Sequence, residues 1–118
     1  MELALPGIAI GTSGCKTAAF SPDGRVPAQS SASCAADYPH PGRAEQNPDV
    51  WRDAACAAVC GIGKAVPPGA VCGVGVDGRS RSAIPAGEHG QALCSTPNRM
   101  DARAKVLCGE LSRRPEQV

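Results

Sequence analysis

Alternation of apolar and polar positions is concentrated in the first third of the chain. Residues 3 to 10, with the β-branched Ile8 and Ile10, read as a first strand, and residues 15 to 20 as a second, joined by the small-residue turn GTSG at 11–14. SPDGR (21–25) is a hairpin turn of the Asp-Gly type leading to a third strand, VPAQSSAS. Pro27 interrupts that strand, where it costs a ladder hydrogen bond unless the position lies on an edge. DYPHPGRAEQ (37–46) is a Pro-rich connection, after which the hydrophobic period lengthens from two to helical. Asn47 is suited to an N-cap, Pro48 to the first helical position and Asp49 to the positive end of a helix dipole. Val50, Trp51, Ala54, Ala55, Ala58, Val59 and Ile62 recur on one face of the predicted helix, which therefore packs on the sheet, while Gly61 and Gly63 weaken its last turns. Beyond PPG, AVCGVGV (70–76) reads as a short buried strand and VDGRSRS (76–82) as its exit loop. Residues 83 to 93 predict a weak hairpin around GEHG, and Asp101 to Leu111 a polar helix. No internal repeat or low-complexity tract is present.

Composition thins the core that this pattern implies. The 118 residues allow one domain at most, and 42% are hydrophobic, but 20 of those are Ala and 7 are Cys. Leu, Ile, Val and Phe together number 19, and the aromatics are limited to Phe20, Tyr38 and Trp51. A short chain already buries a small share of its surface, so little independent stability is expected. The formal charge of +1 gives no reason to expect nucleic acid or an anionic membrane as partner, and no apolar run approaches membrane-spanning length. Seven cysteines, an odd number, without a charged and then apolar leader, predict a reduced, cytoplasmic chain. Cys56 and Cys60 lie four apart on the predicted helix, but no second Cys pair or His completes a tetrahedral metal set at finger-like spacing. His40 and His89 are isolated, and the cysteines are expected as small core residues.

Three strands, a crossover helix and a returning strand resemble the opening of the ribonuclease-H-like fold of sugar kinases, actin and the heat-shock ATPases. The motifs narrow the resemblance. GIAIGTSGCKTAAFSPDGRV is similar to the first phosphate motif of the FGGY carbohydrate kinases, G-x-D-x-G-T-x-x-x-K followed by a hairpin and an Asp-Gly turn. PGRAEQNPDVW resembles the family's P-G-W-x-E-Q-[DN]-P-x-x-W segment, VCGVGVDGRS its I-x-x-I-G-[VI]-[SD]-G-Q strand and substrate loop, and NRMDARA its W-M-D-x-R-A segment. Four landmarks in order carry a specificity that a lone GTS turn lacks. The resemblance covers nearly all of the chain, is nearest to the xylulokinase-like branch, and corresponds only to the start of the family. It implies an α/β fold, a partial ribonuclease-H-like domain of the actin and sugar-kinase type over residues 1–118: a β-meander with a crossover helix, first lobe only. Within it fall a phosphate hairpin at 7–25, a helix at about 48–63 and a substrate-loop strand at 70–82.

In such kinases a sugar hydroxyl attacks the γ-phosphorus of MgATP, and the protein supplies positioning, charge neutralisation and a carboxylate base. The resemblance therefore implies ATP, Mg²⁺ and a sugar or polyol as partners. It assigns Gly11, Thr12, Ser13, Gly14 and Lys16 to phosphate, and Asp77, Gly78, Arg79, Met100 and Asp101 to substrate. Small residues let phosphate oxygens approach the backbone amides, and the Thr12 and Ser13 hydroxyls add donors. The departures are specific. Ala9 stands where the motif has the Asp that helps hold the metal, and a methyl cannot coordinate Mg²⁺. Arg43 and Arg99 replace the tryptophans of their segments, and Arg79 replaces the substrate-loop Gln. By the resemblance, the catalytic Asp base and the adenosine-binding lobe lie downstream of the matched region. An isolated chain without kinase activity is expected, the N-terminal portion of a sugar kinase cut short by a gene-model break, a frameshift or decay. Two other readings stay open: a non-catalytic phosphate- or sugar-binding module, and one half of a split kinase whose second lobe is a separate chain.

Overall fold

The computed structural model describes residues 3–78 and 82–113. Leu5–Ile10 (β1), Gly14–Phe20 (β2) and Ala28–Ser33 (β3) form an antiparallel meander, and Gly75–Asp77 (β5) joins β1 in parallel, giving the sheet order β3-β2-β1-β5. A second, two-stranded sheet pairs Glu45–Gln46 (β4) with Thr96–Pro97 (β6). The helix α1, Pro48–Ile62, crosses one face of the larger sheet between β3 and β5, and a short helix α2, Lys105–Leu111, follows β6. This is the mixed α/β arrangement of a meander followed by a crossover helix.

Register assigns each side chain to a face. Cys15, Thr17 and Ala19 of β2 point towards α1 and are fully buried, while Lys16, Ala18 and Phe20 point the other way. Trp51, Ala54, Ala58 and Ile62 are the buried stripe of α1. The core divides into two small clusters, Cys15, Cys34, Trp51, Ala54 and Ala58 in one, and Ala4, Ala19, Ile62 and Val66 in the other. The largest fully buried side chains are Gln46, Thr17, Thr96, Cys15 and Cys34, none of them a large hydrophobe. The radius of gyration, 18.5 Å, exceeds the roughly 13.5 Å of a compact chain of this length.

Several local expectations are corrected. Pro27 precedes β3 rather than interrupting it, and β3 is an edge strand, so no ladder bond is lost. Residues 70–76 do not form a buried strand. A 3-10 turn at Pro68–Ala70 and a bridge from Val71 to Ala4 take up the first part, and β5 is short and exposed because α1 does not reach over it. Val50 and Val59 lie at the edge of the helical stripe, 38% and 39% exposed. Gly61 does not weaken the helix end, because α1 continues to Ile62. A β-carbon at Gly61 would overlap the Ser30 side chain, so the glycine sets how closely α1 approaches β3. Only Cys15 and Cys34 are core cysteines, since Cys56, Cys60, Cys72, Cys94 and Cys108 are exposed. The 83–93 hairpin is reduced to one bridge, Ala86 to Ala92, closed over a turn with Gly90 at φ +77°. The C-terminal helix begins four residues late, because Asp101 to Ala104 are held by turn bonds instead.

Candidate functional site

The β1–β2 connection is a two-residue turn. Gly11 N–H donates to Gly14 O at 2.8 Å, leaving Thr12 and Ser13 at the tip. Neither flanking glycine adopts a left-handed backbone, so their role is space. A β-carbon on Gly14 would lie 2.7 Å from Ala32 O, inside the backbone of β3. Carbonyls hold the turn from below. Ser13 O accepts from Cys34 N–H at 3.0 Å, and Thr12 O accepts from Gln46 Nε2 at 3.2 Å. Gln46, wholly buried, also donates to Cys34 O and Ala35 O, so one amide ties the turn, the end of β3 and β4 together. Among the described residues, the Thr12 and Ser13 amides meet no protein acceptor. With their carbonyls engaged and their N–H groups free, these two residues present donors outward, which is what an anion requires.

Two adjoining hollows open on this side of the sheet. One, about 380 Å³, is lined by Thr12, Ser13, Lys16, Ser31 and Ser33 among others. The other, about 910 Å³, spreads over the uncovered face and includes Ala9, Lys16, Ser31 and Asp77. Ala9 is in register with Lys16 on β2 and with Asp77 on β5, so a methyl sits between a cation and a carboxylate. Tested by its donor chemistry, β1 does not fit Mg²⁺ at this point, because it offers no oxygen side chain. Gly78 follows Asp77, and a β-carbon there would meet nothing within 4 Å beyond its chain neighbours among the described residues. Arg79 lies outside the described residues.

Met100 and Asp101 belong to a different neighbourhood and line neither hollow. The Met100 sulfur accepts from Tyr38 Oη at 3.8 Å. Asp101 is enclosed by its own chain. Its carboxylate accepts from Ala44 N–H at 2.9 Å and from Arg103 N–H at 3.0 Å, and pairs with the Arg103 guanidinium at 2.8 Å. That guanidinium, with help from the backbone donors, holds the Asp101 carboxyl well below the usual carboxylate range, and Arg103, bonded also to Glu45, is pushed up in turn. Asn98 N–H to Ala44 O and Ala102 N–H to Gly42 O complete the junction of NRMDARA with PGRAEQNP. Two motifs some fifty residues apart in sequence are thus one local structure, and each carries one of the two arginines, 43 and 99, at which the sequence departs from the motifs it resembles.

Sequence reasoning left Ser31, Ser33 and Gln46 unassigned. The serines were findable from alternation, since Gln29, Ser31 and Ser33 share the face of Lys16 once β3 pairs with β2. Gln46 was not, because its partners are carbonyls of two separate segments, Thr12 in the turn and Cys34 and Ala35 after β3. No helix among the described residues is long and apolar enough to cross a membrane.

Comparison with known proteins follows the same lines. The fold aligns with a xylulose kinase from Rhodospirillum rubrum at TM-score 0.84 and 24% identity, over 92% of this chain and 23% of that one. It aligns with a xyloylose kinase from Brucella ovis at 0.85 and 25%, again over 92% and 23%. A gluconate kinase from Lactobacillus acidophilus superposes at 0.88 with 19% identity, over 97% and 23%. The chain therefore spans about a quarter of the length of these kinases. A search of curated protein sequences finds no match. Residues 5–118 match the N-terminal domain of the FGGY family of carbohydrate kinases, and the chain belongs to that family.

Proposed function

We propose that this chain is the phosphate-holding first lobe of an ATP-dependent carbohydrate kinase of xylulokinase-like type, acting in the cytoplasm and inactive by itself. The observation that carries the reading is the pair of free amides at Thr12 and Ser13, fixed outward by the Gln46 brace. Gly11 and Gly14 keep the turn tight enough for phosphate oxygens to reach those amides, and the Thr12 and Ser13 hydroxyls and Lys16 extend the donor set. Asp77, Gly78, Arg79 and Met100 are assigned to the sugar in this reading. Asp101 contributes to sugar binding by holding the 96–103 segment on β4 rather than through a free carboxylate. Phosphoryl transfer also needs a base and a second wall that excludes water and orients the reacting groups.

Titration of the ¹⁵N-labelled chain with ATP tests the reading. Amide shifts centred on Gly11 to Lys16 are expected, weakened by Lys16→Ala, with no ADP released from ATP in the presence of D-xylulose, glycerol or gluconate. Absence of shifts at the turn overturns the phosphate role, and turnover by the chain alone overturns its inactivity. The thin core and the uncovered sheet face suit a domain completed by a further lobe, and in one further reading a separate chain supplies that lobe. That reading requires activity to appear when the two are mixed.

A further inference from the structure

We propose that the carbohydrate taken by this lobe carries a negative charge, a carboxylate or phosphate group read by Arg43 and Arg99; this rests on the assignment of Met100 and its segment to the sugar proposed above. The two arginines belong to one junction. Asn98 N–H to Ala44 O and Ala102 N–H to Gly42 O, both at 2.8 Å, bracket Arg43 just before β4 and Arg99 just after β6, so the backbone of one is held beside that of the other. A Pro41–Gly42 turn, with Gly42 at φ +77° and Arg43 N–H donating to His40 O at 3.0 Å, fixes where Arg43 leaves the strand. On the other segment the Asn98 side chain accepts from Met100 N–H at 2.8 Å, closing a turn around Arg99.

Charge at this junction is unevenly matched. Asp101 and Glu45 both pair with Arg103, and Asp37, bonded through its backbone to Glu45 on the other edge of β4, pairs with neither remaining arginine. Arg43 and Arg99 are exposed, and among the described residues neither side chain has a hydrogen bond or ion pair. A second sign of a missing acceptor lies in the same turn. Asn98 is 4% exposed, its amide oxygen is taken by Met100 N–H, and its amide nitrogen finds no acceptor among the described residues. A buried donor without a partner forfeits its hydration, so the turn that carries Arg99 holds more donors than acceptors. Each guanidinium offers five N–H donors in a planar fork that matches a carboxylate or a phosphate, and it keeps its charge at any physiological pH. A polyol hydroxyl gives such a group little that water does not, whereas an anion gives a charge-assisted, bidentate pair. Both positions are also ones at which the sequence departs from the motifs it resembles, so the general sugar-binding pattern does not account for them.

Ligands that share one polyol chain separate charge from sugar: D-glucitol is neutral, D-gluconate carries a carboxylate and D-glucitol 6-phosphate a phosphate. Each is titrated into the ¹⁵N-labelled chain, with acetate and inorganic phosphate as anions that lack the sugar. The sugar anions are expected to shift the Gly42 to Ala44 and Asn98 to Met100 amides with an affinity at least about tenfold above that of glucitol, and the tighter of the two names the anionic group. Arg43→Gln with Arg99→Gln is expected to abolish that preference, and Arg43→Lys with Arg99→Lys to keep part of it, while ATP-induced shifts at the 11–14 turn stay as in the wild type. Both arginines are exposed and unpaired, and a dispersed spectrum of each variant confirms that the comparison is made on a folded chain. Equal binding of glucitol and gluconate, an unchanged preference in the Gln variant, or acetate and phosphate binding as tightly as the sugar anions each overturns the inference. If ATP shifts the turn and no sugar anion shifts the junction, the anionic substrate fails and the phosphate reading stands. If gluconate shifts the junction and ATP leaves the turn unmoved, the phosphate reading alone fails.

Discussion

The two faces of the four-stranded sheet use adjacent residues for opposite ends. Towards α1, Cys15, Thr17 and Ala19 are sealed beneath Trp51, Ala54, Ala58 and Ile62; away from it, Lys16, Ala18 and Phe20 share an uncovered surface with Ala9 and Asp77. The covered face is where folding free energy arises, although its small side chains yield little of it per residue. The uncovered face holds the groups with chemistry. Neighbouring positions on one strand therefore answer to different constraints, and the sharpest way to break the comparison is to make the same change on each side. Ala19→Asp buries a carboxylate at a site with 0% exposure and is expected to cost several kcal/mol, enough to unfold a chain with so thin a core. Ala18→Asp, one residue away, is expected to leave urea denaturation within about 1 kcal/mol of the wild type. Equal losses at the two positions would mean that the open face is packed against something in solution.

The next largest effect belongs to the brace that joins the main sheet to the small one. Gln46→Ala removes the donor to Thr12 O, Cys34 O and Ala35 O and leaves a buried gap, with an expected loss of about 2 kcal/mol. The functional side of the comparison is read from ATP titration. If Gln46 acts by aiming the turn, ATP-induced shifts at Thr12 and Ser13 shrink even at temperatures where the variant is fully folded. If those shifts persist unchanged in the folded variant, the brace serves stability alone and the turn is set by Gly11 and Gly14.

What could be read in advance follows the range of the interaction. The meander, the Asp-Gly turn and the start of α1 depend on residues within a few positions of one another: alternation around Ile8 and Lys16, Asp23 and Gly24, the Asn47 side chain accepting from Asp49 N–H at 3.0 Å. All of these are legible in the sequence. The turn at 11–14 is legible for the same reason, and the four motifs in order point to the family that the match over residues 5–118 shows. Illegible were features that depend on which distant segment arrives. The sequence reads 70–76 as a buried strand because Val71, Val74 and Val76 look like core, yet among the described residues no helix crosses over them and Val76 is 68% exposed. Asp101 reads as a substrate contact from its motif, but that its Oδ2 accepts from Ala44 N–H while its Oδ1 accepts from Arg103 N–H depends on how PGRAEQNP folds against it. The relation of Asp77 to Ala9 is a matter of parallel register, which no local pattern encodes.

Thr17 marks the place where the covered face departs from its own rule. Its side chain is 1% exposed, directly under α1, and its hydroxyl finds no partner among the described residues. A buried hydroxyl without a hydrogen bond forfeits its hydration and gains nothing in return, whereas valine has nearly the same shape, keeps the β-branched preference for a strand and removes the unsatisfied group. Thr17→Val is therefore expected to stabilise the chain by about 1 kcal/mol, opposite in sign to the losses at Ala19 and Gln46 and smaller than either. Because the Thr17 side chain is buried against α1, ATP-induced shifts at the turn are expected to be unaltered. A gain in denaturation midpoint with unchanged ATP response keeps the division of labour between the faces intact. A loss of stability would show that the hydroxyl is satisfied in solution, and a changed ATP response would show that packing beneath β2 is transmitted through the strand to Lys16, so that the two faces are not independent.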